Sequence, residues 1–345
     1  MMKDALGLGI GRSVHTVLGP VLCLMFGSTG AFAAEPHWQS IPFNEENFDV
    51  SHASKASFEN RGGRDALCID GEACLRDVLL ESGSIAVDIA NDHHRHFANL
   101  IFRAAARDRY ETVYLRMHKS KQFDAVQYTP HLNGETNWQM FGHAQAHADF
   151  GSDPWITLHV DFAGERARVW VGPRGNRPAL ETQLTLPSEA GGIGLRTLFE
   201  GCFSNFRYTD EPPDFDSAPE PDRISVPDGA ITRWSLSRAF AFEGWEGLRA
   251  RLPKSPDWAT VDTEPNGRLL ISRYRRKASA GAFEQNGLDA VYAATAIYSD
   301  EPQTSELQID ASDMATIWLN GTALFSFDNS FRAKGPLHRG DFDAT

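Results

Sequence analysis

The sequence predicts an all-β protein, built as two β-sandwich modules joined by an acidic, proline-rich linker. Three observations predict it. Apolar and polar residues alternate with period two through run after run, as half-buried strands require. Turns containing Gly or Asn separate those runs. No heptad pattern or internal repeat competes with this reading.

Residues 1–33 come first and have the make-up of a secretory signal. Lys3 and Arg12 are basic, residues 14–26 are apolar, and Ala31-Phe32-Ala33 offers small residues for cleavage before Ala34. Export to the periplasm or the outside is therefore expected. Gly19-Pro20 interrupts the apolar run, which is shorter than the ~20 residues a membrane span needs. Cys23 follows Leu22, a residue too large for the small position before a lipidated cysteine. Losing Lys3, Asp4 and Arg12 with the leader takes the net charge from −13 to −14. Such an acidic surface argues against nucleic acid and anionic membranes as partners, and its plainest role is solubility.

The stretch Cys68-Ile-Asp-Gly-Glu-Ala-Cys74 is symmetric about Gly71. If Asp70-Gly71-Glu72 forms a hairpin turn, Cys68 and Cys74 face each other at a separation that suits a disulfide. Export makes the bond plausible, and Cys202 is then an unpaired buried thiol. Three reduced core cysteines are the other reading.

Residues 83–89 open the series of strands. In residues 110–118, Val113, Leu115 and Met117 share one face while Tyr114, Arg116 and His118 share the other. Residues 155–162 and 166–171 alternate around Ala163-Gly164-Glu165, a hairpin with a glycine in its loop. Residues 192–195 and 203–206 add two more strands. Residues 210–229 follow, with five prolines and seven acids, and read as a linker. Residues 230–345 are again β-like. Their strands are expected at 232–237, 268–274, 290–298 and 315–327, where Asn320-Gly321 signals a type I′ turn.

Certain residues carry a family likeness. The signature Tyr110-x-x-Val113-Tyr114-Leu115-Arg116, then Asp124-x-x-Gln127-Tyr128-x-Pro130 and Asn137-Trp138-Gln139, resembles the concanavalin A-like lectin/glucanase superfamily in its laminin-G-like bacterial branch. The resemblance covers roughly residues 57–208 and implies a jelly-roll sandwich over 34–209. The pattern Leu319-Asn320-Gly321-x-x-Leu324-Phe325 resembles the galactose-binding-like jelly rolls appended to secreted glycan-active proteins. It implies a second sandwich over 230–345, a module that needs further strands to close; either the sequence is truncated or the sandwich is incomplete, and an unclosed sheet has an exposed edge. The sequence makes no cofactor certain; for the first module the resemblance makes Ca2+ more in character than a transition metal, at rim carboxylates and carbonyls, though no Asp/Asn ladder marks such a site.

Catalytic chemistry leaves little trace. The glucanases of that superfamily carry Glu-x-Asp-x-x-Glu on one strand, whereas the only Glu-x-Asp here is Glu220-Pro221-Asp222, in the linker. There is no Gly-x-Ser-x-Gly, no His-Glu-x-x-His and no phosphate-binding glycine-rich loop. Asp92-His93-His94-Arg95-His96 is the densest histidine cluster, and His143 and His147 lie four apart. Both are expected to be solvated loop histidines, with a transition-metal site as the minority reading.

What remains is polar and aromatic: Arg103, Tyr114, Arg116, Gln127, Tyr128, Asn133, Trp138 and Gln139. Aromatic faces cover sugar C–H surfaces and planar amides or guanidiniums bond hydroxyls, so these are the candidate glycan ligands. Packing and internal pairing explain the same residues without a ligand. The expected function is recognition of an extracellular or periplasmic carbohydrate. A glycan-processing hydrolase and a protein-binding scaffold module are the alternatives, because fold alone does not choose among them.

Overall fold

The computed structural model describes residues 37–175, 177–215, 226–242, 244, 257–278 and 288–329. The expected leader, residues 216–225 of the expected linker and the chain after Asn329 lie outside the described residues. Among the described residues no helix is long and apolar enough to cross a membrane.

Thirteen strands make the N-terminal β-sandwich. In chain order they are β1 (Gln39–Ile41), β2 (Phe48–Arg61), β3 (Arg64–Leu80), β4 (Gly83–Ala90), β5 (Phe97–Ala106), β6 (Arg109–Arg116), β7 (Val126–Leu132), β8 (Glu135–Thr136), β9 (Gln145–Ala146), β10 (Trp155–Ala163), β11 (Arg166–Val171), β12 (Leu180–Gln183) and β13 (Gly191–Thr209). All pairings are antiparallel.

Two long strands belong to both layers. The C-terminal half of β13 pairs with β4, which continues through β10 and β11 to β12 and forms the first sheet. Its N-terminal half pairs with β5, which continues through β6 to β7 and forms the second. β3 follows β13 along both halves. A register shift at Thr197/Gly201 breaks the ladder where one layer passes into the other, and a second at Gly192/Gly194 lies within the half that pairs with β5.

Alternation then decides the core. Ile85, Val87, Ile89, Leu158, Val160 and Phe162 of the first sheet face Leu100, Phe102, Val113, Leu115, Val126 and Tyr128 of the second in one apolar cluster. Phe102 and Phe162 touch across it with ring centroids 4.7 Å apart. The expected 163–165 hairpin is present, with Gly164 at φ 53°.

The cysteine pairing differs from expectation. β3 runs unbroken through Gly71, and the β2–β3 turn lies instead at Gly62-Gly63. Cys68 and Cys74 are thus six residues apart on one strand, which at a rise of about 3.3 Å per residue is beyond disulfide reach. Cys68 stands directly opposite Cys202 of β13 and is bonded to it, leaving Cys74 free. Gly71 serves close approach rather than a turn. At φ 123°, a Cβ there would lie 2.6 Å from the Ala53 Cα of β2.

The described part of the second segment contributes three small sheets. Arg233–Leu236 pairs with Ala259–Asp262 and with Ala293–Ala294. Met314–Leu319 and Thr322–Asp328 form the expected hairpin, with Asn320 at φ 50° and Gly321 at φ 83°. Two expectations change. Residues 290–298 hold only the two-residue strands Asp289–Ala290 and Ala293–Ala294, and residues 271–274 form a single helical turn, Ile271–Tyr274. That turn starts from Leu270, which is buried in the sandwich core.

Candidate functional site

The outer face of the second sheet is polar and built in register. One row crosses six strands, from Glu72 on β3 through Arg196 on β13, Asn99 on β5, Tyr114 on β6 and Gln127 on β7 to Gln145 on β9. Because side chains alternate, the neighbours Ala73, Leu195, Leu100, Val113 and Val126 point into the core while this row points away from it.

The middle of that face is a buried polar floor. Asn99, Thr112, Tyr114, Gln127, Thr129 and His131 are all buried. Gln127 holds the floor together: its Oε1 accepts from the Tyr114 hydroxyl at 2.8 Å, from Arg116 and from Gln145 at 3.1 Å. Its Nε2 donates to the carbonyls of Trp138 at 2.6 Å and Phe141 at 3.1 Å. Burial pushes the Tyr114 hydroxyl up to about 12 against the pull of Arg116, so it stays a donor. The Arg116 guanidinium lies 5.0 Å from the Tyr114 ring centre and 5.9 Å from that of Trp138.

Around the floor stand partly exposed groups. The Arg196 Nε is 3.7 Å from Glu72 Oε1, with side chains 25% and 14% exposed. Glu72 also receives the Tyr110 hydroxyl at 3.2 Å and Arg107 at 3.4 Å, while Arg196 reaches Thr136 Oγ1 at 3.4 Å. Thr136 is also 3.2 Å from His131 Nδ1, and His131 stacks on Tyr110 at 4.4 Å. Thr136, Asn137 and Trp138 are half-buried along the same border.

The eight residues expected from sequence fall into three places. Tyr114, Arg116, Gln127 and Trp138 come together as described. Arg103 and Tyr128 lie at one end of the interior. Arg103 donates to the Glu81 and Gly164 carbonyls, both at 2.7 Å, and to Ser188 Oγ at 3.1 Å, while the Tyr128 hydroxyl meets Glu111 at 2.8 Å. Glu111 also accepts the Thr185 and Leu186 amides at 2.9 and 2.7 Å. Burial raises its carboxyl despite these donors. Asn133 and Gln139 face the second segment instead, donating to the carbonyls of Ser272 at 2.8 Å and Ser312 at 2.5 Å.

Sequence reasoning missed Arg196 and Glu72. Arg196 had a signal, since Ile193 and Leu195 point inward and leave Arg196 on the outer face. Glu72 was hidden because its strand was read as a turn.

The first sheet's outer face carries a different cluster. Asp161 Oδ1 lies 2.6 Å from both Ser84 Oγ and His159 Nε2, and its Oδ2 meets Arg174 at 2.5 Å. Burial would raise this carboxyl, but His159, Ser84 and Arg174 hold it below the usual range. Serine and histidine share one oxygen here, so no Ser–His–Asp relay forms. Two groups of metal-ligating side chains occur among the described residues. In one, Glu59 with Cys68 and Cys202, both sulfurs are already in the disulfide. The other is Asp92, His94 and His96.

No protein-family model matches the chain, and no curated protein does. Similar solved structures include the carbohydrate binding module CBM66 from Bacillus subtilis, at 13% identity over 50% of this chain and 95% of that one, with a TM-score of 0.36. Another is a Bacillus subtilis protein of unknown function with a galectin-like fold, at 9% identity over 48% and 90%, TM-score 0.35. A third is the VIP36 exoplasmic/lumenal domain in its Ca2+/Man3GlcNAc-bound form, at 14% identity over 53% and 93%, TM-score 0.37.

Proposed function

We propose that this chain is an exported carbohydrate-recognition protein whose glycan site is the outer face of the second sheet, bordered by Glu72, Arg196, Thr136, Asn137 and Trp138. The observation that carries the reading is the Glu72–Arg196 pair. It stands partly exposed beside a floor whose polar groups are already bonded to one another. A carboxylate and a guanidinium side by side offer planar acceptors and donors to vicinal hydroxyls, and Trp138 supplies an apolar face for sugar C–H groups. The bonded floor holds this border in place, which limits the ordering cost of binding.

The same geometry favours binding over hydrolysis. A glycosidase needs two carboxyls roughly 5–9.5 Å apart with distinct protonation states. Glu72 is instead engaged by Arg196 and Arg107, and the row it belongs to holds no second carboxylate.

A glycan array with calcium, and again with EDTA, tests the proposal. Saturable binding to one sugar family is expected, with affinity falling at least about tenfold in Arg196→Ala and in Trp138→Ala while both variants still melt cooperatively. Silence on every glycan, or binding that both variants retain, overturns it. Loss of binding in EDTA alone adds a calcium ion to the site.

A further inference from the structure

We infer that Asp92, His94 and His96 form a binding site for a zinc-class divalent transition metal ion, in the loop between β4 and β5. One oxygen of Asp92 lies 2.8 Å from His94 Nδ1 and 3.6 Å from His96 Nδ1. The ligand atoms of all three residues fall within 4.8 Å of one another. Around a tetrahedral zinc with bonds of about 2.0–2.2 Å, ligand atoms stand about 3.3 Å apart, a value the two measured separations bracket. An ion therefore fits with small side-chain movements.

Two independent observations point to the ion. First, the His96 ring is fully buried, at 0% exposure, and neither of its nitrogens has a hydrogen-bond partner. A buried polar ring without partners is costly, and a metal ion aimed at by Asp92 and His94 satisfies it. The expected solvated histidine is thus contradicted at this position. Second, His94 is already oriented as a ligand. Its Nε2 is 3.1 Å from the Glu200 carbonyl, which orients the ring so that Nδ1 points at Asp92, as outer-sphere carbonyls orient metal-bound imidazoles.

The backbone is shaped to this arrangement. His93 sits in the left-handed region at φ 57°, a conformation uncommon for a residue with a side chain. Gly201 makes room for the buried ring, since a Cβ there would lie 2.7 Å from His96 Cδ2. Two imidazoles and one carboxylate suit zinc, copper or nickel and not calcium, which takes oxygen ligands. With three protein ligands, the fourth position goes to water, because Asp92 and His94 reach solvent.

Calorimetric titration of the tag-free protein with zinc chloride, after chelator treatment and dialysis, tests the inference. One zinc per chain is expected, with Asp92→Asn and His94→Ala each weakening it at least about tenfold. Both positions are solvent-accessible, so these variants melt like the parent; the exposed His147→Ala serves as a control that leaves zinc binding unchanged. Cobalt in place of zinc is expected to give the visible absorption of a tetrahedral site. Absence of zinc binding, zinc binding undiminished in both variants, or calcium binding in its place overturns the inference.

Discussion

His131 shows how a single side chain couples the candidate site to pH. It is buried against Tyr110, and burial first, then Arg196, lower its pKa from the ordinary histidine value to about 3, with Asp108 pulling weakly the other way. Burial and then Arg268 lower His143 in the same way, to about 4. For a base whose folded pKa is depressed, the unfolded chain takes the proton first. Stability is therefore complete above about pH 6.5 and is lost as pH falls toward the folded value. By pH 5 the His131 contribution amounts to about 2 kcal/mol. Denaturant unfolding at pH 7 and pH 5 is expected to show this loss together with that of His143, and His131→Phe, which keeps the ring stack, is expected to remove the His131 part of it. An unchanged slope in the variant would assign the acid sensitivity elsewhere. At this scale the sequence was half legible. Period-two alternation placed Tyr114 and Arg116 on one face, but that they meet Gln127 depends on the pairing of β6 with β7, and that the three are satisfied depends on the carbonyls of Trp138, Phe141 and Asp124, which no pattern in β6 or β7 announces.

Elements were legible where a turn carries its own chemistry, and misread where close packing of one backbone on another decides. The β10–β11 and Asn320-Gly321 hairpins follow from turn chemistry alone. β3 does not. Its glycine looked like a turn because the close approach of β2 that demands it comes from residues 52–54. Residues 268–274 read as a strand, yet Ile271–Tyr274 form a helical turn, with Leu270 buried in the sandwich core and Asn133 donating to the carbonyl of Ser272. The Cys68–Cys202 bond closes a separation of 134 residues between the two strands that both layers share. In the chain-entropy account a loop of that length is worth about 4–5 kcal/mol. The Cys68→Ala/Cys202→Ala double variant is expected to lower the denaturation midpoint accordingly. Labelling the denatured, unreduced chain is expected to modify Cys74 and to spare Cys68 and Cys202. In the folded protein that labelling will be slow at neutral pH, since burial, Glu72 and Asp49 all raise the Cys74 thiol.

At the scale of the whole molecule, the described part of the second segment is joined to the sandwich rather than merely tethered by residues 210–229. Leu270 lies in the core cluster, and polar contacts fasten the segment around it. Ser272 Oγ donates to Asn137 at 2.6 Å, Arg268 meets His143 Nδ1 at 2.8 Å, and Arg273 reaches the Thr185 carbonyl at 3.3 Å. These contacts border β7 and the 137–143 region, next to Trp138 at the proposed glycan site. A segment held by one buried leucine and several satisfied polar groups unfolds with the body it is packed on. Calorimetry is therefore expected to record one transition for the intact chain. Leu270→Ala removes a buried side chain from that junction and is expected to cost about 2–4 kcal/mol. It should also loosen Asn137 and Trp138, so sugar binding weakens together with stability. Two transitions in the parent protein, with Leu270→Ala shifting neither the sandwich transition nor sugar binding, would make the segment an independent neighbour of the site.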